Sequence, residues 1–168
     1  GANVTVIDMW SVFGGHAVMS GGLVCLVDTP FQRTNNVFDP PDLAIGDFLT
    51  HGVDANPDWV RLYARDSKRE VYDWLEALRV GWSQLFPLLP GNSVRRQHVA
   101  KGRGIGLISP IYGECLGWPN IHFVWNTKAT SLLIENGQVR GVRAVGLRDG
   151  STNDFRSTSV VLATGGFE

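Results

Sequence analysis

A glycine-rich segment that directly follows an apolar run is the feature of this sequence that most restricts its fold. The run, residues 2–8 (ANVTVID), is rich in β-branched side chains and favours a short buried strand over a helix. Residues 13–22 (FGGHAVMSGG) carry glycine pairs near both ends. Because glycine weakens helices and strands alike, this segment predicts a loop that holds a particular backbone shape.

The middle of the chain predicts helices. Asn56 and Pro57 suit an N-cap and a first helical position, and the apolar spacing that follows predicts one amphipathic helix over residues 58–78. We expect the tryptophans of this helix to lie in the core. Residues 81–103 are rich in Pro, Gly, Arg and Gln and are interpreted as irregular, whereas residues 105–116 predict a second helix.

The last part of the chain predicts strands. Residues 121–125 form a short apolar run, and residues 129–135 meet residues 138–147 across Asn136-Gly137, the strongest hairpin turn signal. Residues 155–164 predict a further strand.

Within that last strand, residues 160–164 (VVLAT) run directly into a glycine pair. Such a junction is typical of the carboxyl edge of a parallel sheet, where a ligand meets a loop. We therefore expect residues 2–8 and 160–164 to share one parallel sheet, with the hairpin beside it. The predicted fold class is α/β.

Composition excludes several classes of protein. The apolar fraction is 43% and the charged fraction is 18%, which predicts a folded, soluble domain. The formal net charge is -1 with no basic run, so nucleic acid is not an expected partner, and no apolar stretch is long enough for a transmembrane segment. Cys25 and Cys115 form neither a disulfide framework nor a metal set, and the histidines lack metal-site spacing.

Asp8 and the glycine-rich segment each have two interpretations from their residues alone. An acid that ends the second strand of a dinucleotide-binding unit accepts hydrogen bonds from ribose hydroxyls, but Asp also favours turns and caps at strand ends. The glycines of residues 13–22 allow a backbone to approach a ligand closely, but they also suit a tight structural loop. The sequence leaves both questions open.

Taken in order, the motifs resemble one family of flavoproteins. The sequence runs through GANVTVID, FGGHAVMSGG, a helix opened by NPDWV, KGRGIG, NTKATSLL, NGQVRGV and finally VVLATGGFE. This order is similar to that of fumarate reductases, succinate dehydrogenase flavoprotein subunits and 3-ketosteroid dehydrogenases. The resemblance covers nearly the whole chain and implies a Rossmann-like FAD-binding domain with a helical segment and an antiparallel β-meander.

The resemblance also implies residues that contact FAD. Asp8 stands where the family has its ribose-binding acid, and Ala129 stands where backbone atoms meet the adenine. The remaining positions match the loop that wraps the pyrophosphate and flavin and the segment that returns the last strand to the cofactor: Gly14, Gly15, His16, Ala17, Ser20, Gly21, Gly22, Ala163, Thr164 and Gly165. No catalytic residue is assigned, because those of the family lie beyond Glu168.

Two details of the resemblance stay open. Succinate dehydrogenases carry a histidine in the glycine loop that is bonded covalently to the flavin, and His16 is the corresponding candidate, although noncovalent contact or a simple spacer is favoured. His98, Lys101 and Arg103 form a small basic stretch around KGRGIG. It corresponds either to a loop near the isoalloxazine ring or to a solvated loop.

The resemblance implies an FAD-dependent oxidoreductase that moves hydride between the flavin N5 and an activated C–C bond of a small unsaturated carboxylate or ketone. The start at Gly1 is interpreted as a cut, so residues 1–168 are read as a partial FAD-binding domain. We expect a GxGxxG unit before it, a capping domain after it and a helical segment at residues 46–120. A cytoplasmic location is expected, and the electron donor or acceptor is unknown. The alternatives are an amino-acid oxidase such as aspartate oxidase and a non-catalytic nucleotide-binding module.

Overall fold

The computed structural model describes residues 1–166, which form two compact units. Unit 1 combines Gly1–Phe13 with the chain from Trp118 onward, and unit 2 is Gly14–Gly117. The strands are β1 (Val4–Ile7), β2 (Leu23–Cys25), β3 (Trp82–Leu85), β4 (Gln97–Ala100), β5 (Ile121–Val124), β6 (Thr127–Glu135), β7 (Gln138–Gly146) and β8 (Thr152–Arg156). The α-helices are α1 (Pro30–Thr34), α2 (Pro41–His51), α3 (Pro57–Ser67), α4 (Asp73–Ala77) and α5 (Arg103–Leu116), with a 3₁₀ helix at Gly15–Met19 and a π-helical segment at Lys68–Tyr72.

Unit 1 contains two sheets. Strands β1 and β5 pair in parallel, with Val4 opposite Ile121, and strands β6, β7 and β8 form an antiparallel meander. Asn136 and Gly137 both have positive φ, 51° and 73°, as the tight hairpin turn between β6 and β7 requires. The predicted first strand, short strand and hairpin are therefore confirmed, and so is the α/β fold class.

The predicted strand over residues 155–164 is mostly wrong. The meander ends at Arg156, and residues 160–164 adopt no regular secondary structure. Val161 and Leu162 are 88% and 68% exposed. A strand needs a backbone partner, and among residues 1–166 strand β1 pairs with β5 alone, so the expected parallel sheet containing both residues 2–8 and residues 160–164 does not form.

Unit 2 contains a three-stranded antiparallel sheet in the order β2, β4, β3. Two of these strands lie inside residues 81–103, which the sequence had predicted to be irregular. Each is only four residues long, and a register shift interrupts β3 between Trp82 and Gln84. Strands this short are stabilised by distant partners, as β4 is by Leu23–Cys25, and they leave a weak local signal.

The predicted amphipathic helix is confirmed, with an internal change of winding. Asn56 caps it, because its side-chain oxygen accepts hydrogen bonds from Asp58 N (2.9 Å) and Trp59 N (3.2 Å). Helix α3, the π-helical segment and α4 follow one another without a break. Buried Ser67, just before the π-helical segment, accepts a hydrogen bond from Val27 N at 3.2 Å.

The tryptophans of this helix do not lie in the core as expected. Trp59 is 69% exposed and Trp74 is 47% exposed. The buried positions are instead Ala64, which packs with Val27 and Ala44, and Ser67, Tyr72 and Leu75. The small side chain of Ala64 lets α3 approach α2 closely, and the two tryptophan rings lie on the outer side of the helix.

The second helix is confirmed as α5, and the core of unit 2 lies beneath it. Leu75, Val80 and Ala100 form a buried cluster against which Leu107 and Ile111 of α5 pack. Both cysteines are free thiols and are only partly buried. Among residues 1–166 no helix has the length and apolar character that crossing a membrane requires.

Candidate cofactor-binding site

Asp8 lies where β1 ends, and its side chain takes part in the turn that follows. Its Oδ1 accepts a hydrogen bond from Trp10 N at 2.9 Å. The Asp8 backbone is bonded on both sides, donating to Val124 O and accepting from Thr127 N, each at 3.0 Å. The turn interpretation of Asp8 is therefore confirmed. The second carboxylate oxygen has no hydrogen-bond partner in the described part of the chain, so it remains able to accept one from a ligand.

Ala129 is exposed on β6, opposite Ala144 of β7. The pairing register shifts between Ala129 and Ser131, which locally disrupts the ladder. The remaining candidates of unit 1, Ala163, Thr164 and Gly165, are exposed and outside any strand. Ala129 thus belongs to a strand of unit 1 and Asp8 directly follows one, whereas residues 163–165 lie outside any strand.

The glycine-rich segment forms a compact turn in unit 2. Gly14 has a φ of 89°, and a 3₁₀ helix follows it at Gly15–Met19. Ala17 N donates to Gly14 O at 2.9 Å. Ser20 Oγ donates to Ala17 O at 2.8 Å and accepts from Gly22 N at 3.2 Å, so this hydroxyl fixes the end of the turn. The expected loop is therefore partly helical.

This segment lies directly against the start of α5. Gly104 N donates to Ser20 O at 3.1 Å, and Ala100 N donates to Gly22 O at 2.9 Å. A Cβ at Gly22 would lie 2.4 Å from the carbonyl carbon of Arg103, and a Cβ at Gly104 would lie 2.2 Å from Ala17 O. Only glycine fits at either position. We call residues 14–22 and 102–106 together the glycine platform.

Gly104 was absent from the residues predicted for the site. The sequence feature that could have indicated Gly104 is the alternation of glycine in KGRGIG. Local sequence does not reveal which backbone segment those glycines approach. The seven candidates Gly14, Gly15, His16, Ala17, Ser20, Gly21 and Gly22 form one continuous segment of unit 2. His16 and Ala17 are exposed on it.

His98 is a buried residue of β4. The interpretation of His98 as part of a solvated basic loop with Lys101 and Arg103 is therefore wrong. The side chain of His98 is fully buried. The ring Nδ1 lies 2.8 Å from Arg96 O, and Nε2 lies 2.7 Å from Thr29 Oγ1. The carbonyl only accepts, so Nδ1 carries the proton and Nε2 accepts from the threonine hydroxyl. Burial lowers the pKa of His98, and the neutral ring is favoured.

Arg96 anchors the start of β4 in a buried ion cluster. Its guanidinium donates to both carboxylate oxygens of Asp39, with a closest distance of 2.8 Å, and to Asp47 Oδ2 at 2.6 Å. Arg96 and Asp39 are fully buried. Asp47 also accepts from the backbone and hydroxyl of Ser93, and these bonds together with Arg96 lower its pKa. This cluster connects β4 to α2 and stabilises the scaffold of the glycine platform.

These features suit a flat anionic cofactor. Glycines at the platform surface permit close backbone approach, and the second oxygen of Asp8 is a hydrogen-bond acceptor at the carboxyl end of a parallel strand. Within residues 1–166 no group of three or more His, Cys, Asp or Glu side chains could hold a metal ion. A strand-end acid in an α/β fold, with a glycine-rich turn elsewhere in the chain, is typical of proteins that bind dinucleotide cofactors.

Comparison with known proteins specifies the cofactor. The chain belongs to the FAD binding domain family, whose model matches residues 1–168. It is 29% identical to a urocanate reductase of Eggerthella lenta over 99% of this chain and 28% of that protein. It is 27% identical to a KsdD-like steroid dehydrogenase of Mycobacterium tuberculosis over 91% of this chain and 32% of that protein.

The fold gives the same assignment. The chain superposes on a flavocytochrome c3 fumarate reductase in its open conformation with a TM-score of 0.88 and 27% identity, covering 99% of this chain and 30% of that one. The predicted family, cofactor FAD and Rossmann-like class are therefore confirmed. The chain spans about a third or less of the length of these proteins.

Proposed function

We propose that this chain is the part of an FAD-dependent oxidoreductase that holds the adenosine, pyrophosphate and one side of the flavin. The single observation that carries the proposal is the glycine platform, in which Gly22 and Gly104 let two backbone segments pack directly on each other and Gly21 and Gly102 are exposed. In unit 1, Asp8 binds the ribose and Ala129 meets the adenine through its backbone. Residues 163–165 complete the cofactor contact.

The reaction we propose for the intact protein follows from the names of its relatives. These are a urocanate reductase, a KsdD-like steroid dehydrogenase and a flavocytochrome c3 fumarate reductase, and for this protein we propose hydride transfer between the flavin N5 and an activated carbon–carbon bond. When bound, FAD supplies the hydride donor or acceptor. Residues of this chain bind and orient that cofactor, and the substrate is a small unsaturated carboxylate or ketone. The proton-transferring residue is supplied by a further part of the protein, such as a capping domain.

Asp8 offers a test that separates ligand binding from the local turn. In the Asp8→Asn variant the side-chain Oδ1 remains to accept from Trp10 N, whereas an amide NH₂ replaces the second oxygen. A charge-assisted hydrogen bond contributes about 1.5 to 3 kcal/mol. We therefore expect the intact Asp8→Asn protein to bind FAD at least about tenfold more weakly while it unfolds at the same urea concentration as the wild type.

Asp149 provides the matched control. It caps its own turn in the same way, because its Oδ1 accepts from Ser151 N at 3.0 Å, and it has no proposed ligand. Asp149→Asn should leave FAD binding unchanged. Equal FAD affinity in the wild type and in both variants, measured by flavin fluorescence, would contradict the assignment of Asp8. Failure of the wild-type protein to bind FAD would contradict the proposed function itself.

A further inference from the structure

The two stretches of sequence that contain the glycine platform carry basic residues but no acidic ones. The sequence contains no Asp or Glu in residues 9–27 or in residues 77–113, and these two stretches include the whole platform. Lys101 and Arg103 flank Gly102 at its edge, and both are exposed. Neither side chain forms an ion pair or hydrogen bond within residues 1–166. By contrast, buried Arg96 of the same stretch is neutralised by Asp39 and Asp47.

Arg103 is also held in an unusual backbone conformation. Its φ is 59°, directly after Gly102 with a φ of 86°, and non-glycine residues seldom adopt such values. Its backbone contacts Gly22, and the next residue, Gly104, is bonded to Ser20 O. Glycine would adopt this conformation without steric cost. The chain instead places an arginine at this position, next to the surface proposed to hold the cofactor.

We infer that Lys101 and Arg103 are cofactor-binding residues that stabilise negative charge on FAD at the glycine platform, an inference that rests on the proposed function. FAD carries negative charge on its pyrophosphate in both redox states. Addition of two electrons and one proton to the flavin ring places one further negative charge there. A nearby cation stabilises either charge by Coulomb attraction, and no carboxylate of the platform segments competes for it.

The test uses the intact natural protein with FAD. Lys101→Gln and Arg103→Gln, made singly and together, remove the positive charges. Arg103→Lys keeps a positive charge at position 103. Arg65→Gln is the matched control, because Arg65 is an exposed arginine of α3, has no ion-pair partner within the described residues and lies on a helix that packs on α2. Two quantities are measured for each variant: the dissociation constant of oxidised FAD and the midpoint potential of the bound flavin.

The two sources of negative charge give different results. If the cations bind the pyrophosphate, the double variant should bind both oxidised FAD and ADP about tenfold more weakly at an unchanged potential. If they act on the reduced ring, affinity for oxidised FAD should stay the same and affinity for the reduced form should fall about tenfold. That change lowers the midpoint potential by about 30 mV for a two-electron couple. In both cases added salt should diminish the effect.

A general loss of structure is distinguished by Arg103→Gly. Glycine suits the left-handed backbone, so this variant should fold at least as well as the wild type while it shows the same loss as Arg103→Gln. The inference is overturned if the Lys101 and Arg103 variants match Arg65→Gln in both quantities while the wild type binds FAD. It is also overturned if Arg103→Lys changes the FAD affinity or the midpoint potential as much as Arg103→Gln does, while Arg103→Gly changes neither. A wild-type protein that binds no FAD would overturn the proposed function as well.

Discussion

Gly104 lies so close to Ala17 that a Cβ on the glycine would be 2.2 Å from the carbonyl oxygen of the alanine. The two residues are far apart in the sequence, yet their contact fixes the glycine-rich turn against the first turn of α5. The hydrogen bond from Gly104 N to Ser20 O reinforces it. The conformation of the turn therefore depends on the helix as well as on its own glycines.

Gly104→Ala should force these backbones apart. Overpacking of a close contact costs about 1 to 3 kcal/mol, so the midpoint of urea unfolding should fall and FAD should be released more readily. Gly113 is the control, because it lies in the same helix and an added Cβ there meets nothing within 4 Å. Gly113→Ala should stabilise α5 by about 0.5 to 1 kcal/mol. Similar unfolding midpoints for the two variants would contradict the contact.

Arg96→Met should strongly destabilise unit 2. It leaves the fully buried Asp39 carboxylate without its partner, and breaking a buried pair in this way costs about 3 to 5 kcal/mol. Arg143 pairs with Asp154 at 2.7 Å on the exposed meander, and Arg143→Met should leave the free energy of unfolding nearly unchanged. Denaturant unfolding followed by tryptophan fluorescence compares them. An Arg96→Met protein as stable as Arg143→Met would refute the importance of the cluster.

His98 should make stability depend on pH. Burial lowers its pKa in the folded protein below the usual value near 6.5. The unfolded chain therefore binds a proton at a higher pH than the folded one. The free energy of unfolding should be constant above about pH 7.5 and should fall as the pH drops through about 6.5 toward the lower folded pKa.

The His98 contribution is the difference between the wild type and His98→Gln, which removes the titrating ring. Urea unfolding at several pH values between 5 and 8 and constant ionic strength measures it. His98→Gln should lose part of the pH dependence in this window. If both proteins showed the same slope, the neutral buried ring would not be the cause.

His16 should not hold the flavin covalently. We expect acid-precipitated intact protein to lose its yellow colour to the supernatant, since the favoured interpretation of His16 is noncovalent contact or a spacer. Colour that stays in the pellet of the wild type but washes out of His16→Ala would show covalent attachment instead. Absorbance of the supernatant at the flavin maximum gives the result directly.

The sequence predicted those parts of the fold that are encoded within a few residues. Asn136-Gly137 predicts a hairpin because the turn needs positive φ at both positions, and Asn56 marks a helix start because its side chain bonds amides two and three residues later. The bounds predicted around these signals lie within two residues of those of β6, β7 and the long helix. For the site, residue patterns together with the family resemblance predicted that the glycine-rich turn and Asp8 contact the cofactor, and this stays a prediction.

The tertiary structure alone decided the rest. Strands β3 and β4 exist because they pair with each other and with Leu23–Cys25, and residues 160–164, though equally apolar, have no such partner among the described residues. Burial of His98 and Arg96 depends on Thr29, Asp39 and Asp47, which lie tens of residues earlier in the chain. The need for glycine at position 104 likewise arises only when Ala17 is brought against it. Local preferences act over one or two turns of backbone, whereas packing and ion pairing depend on which distant segments meet.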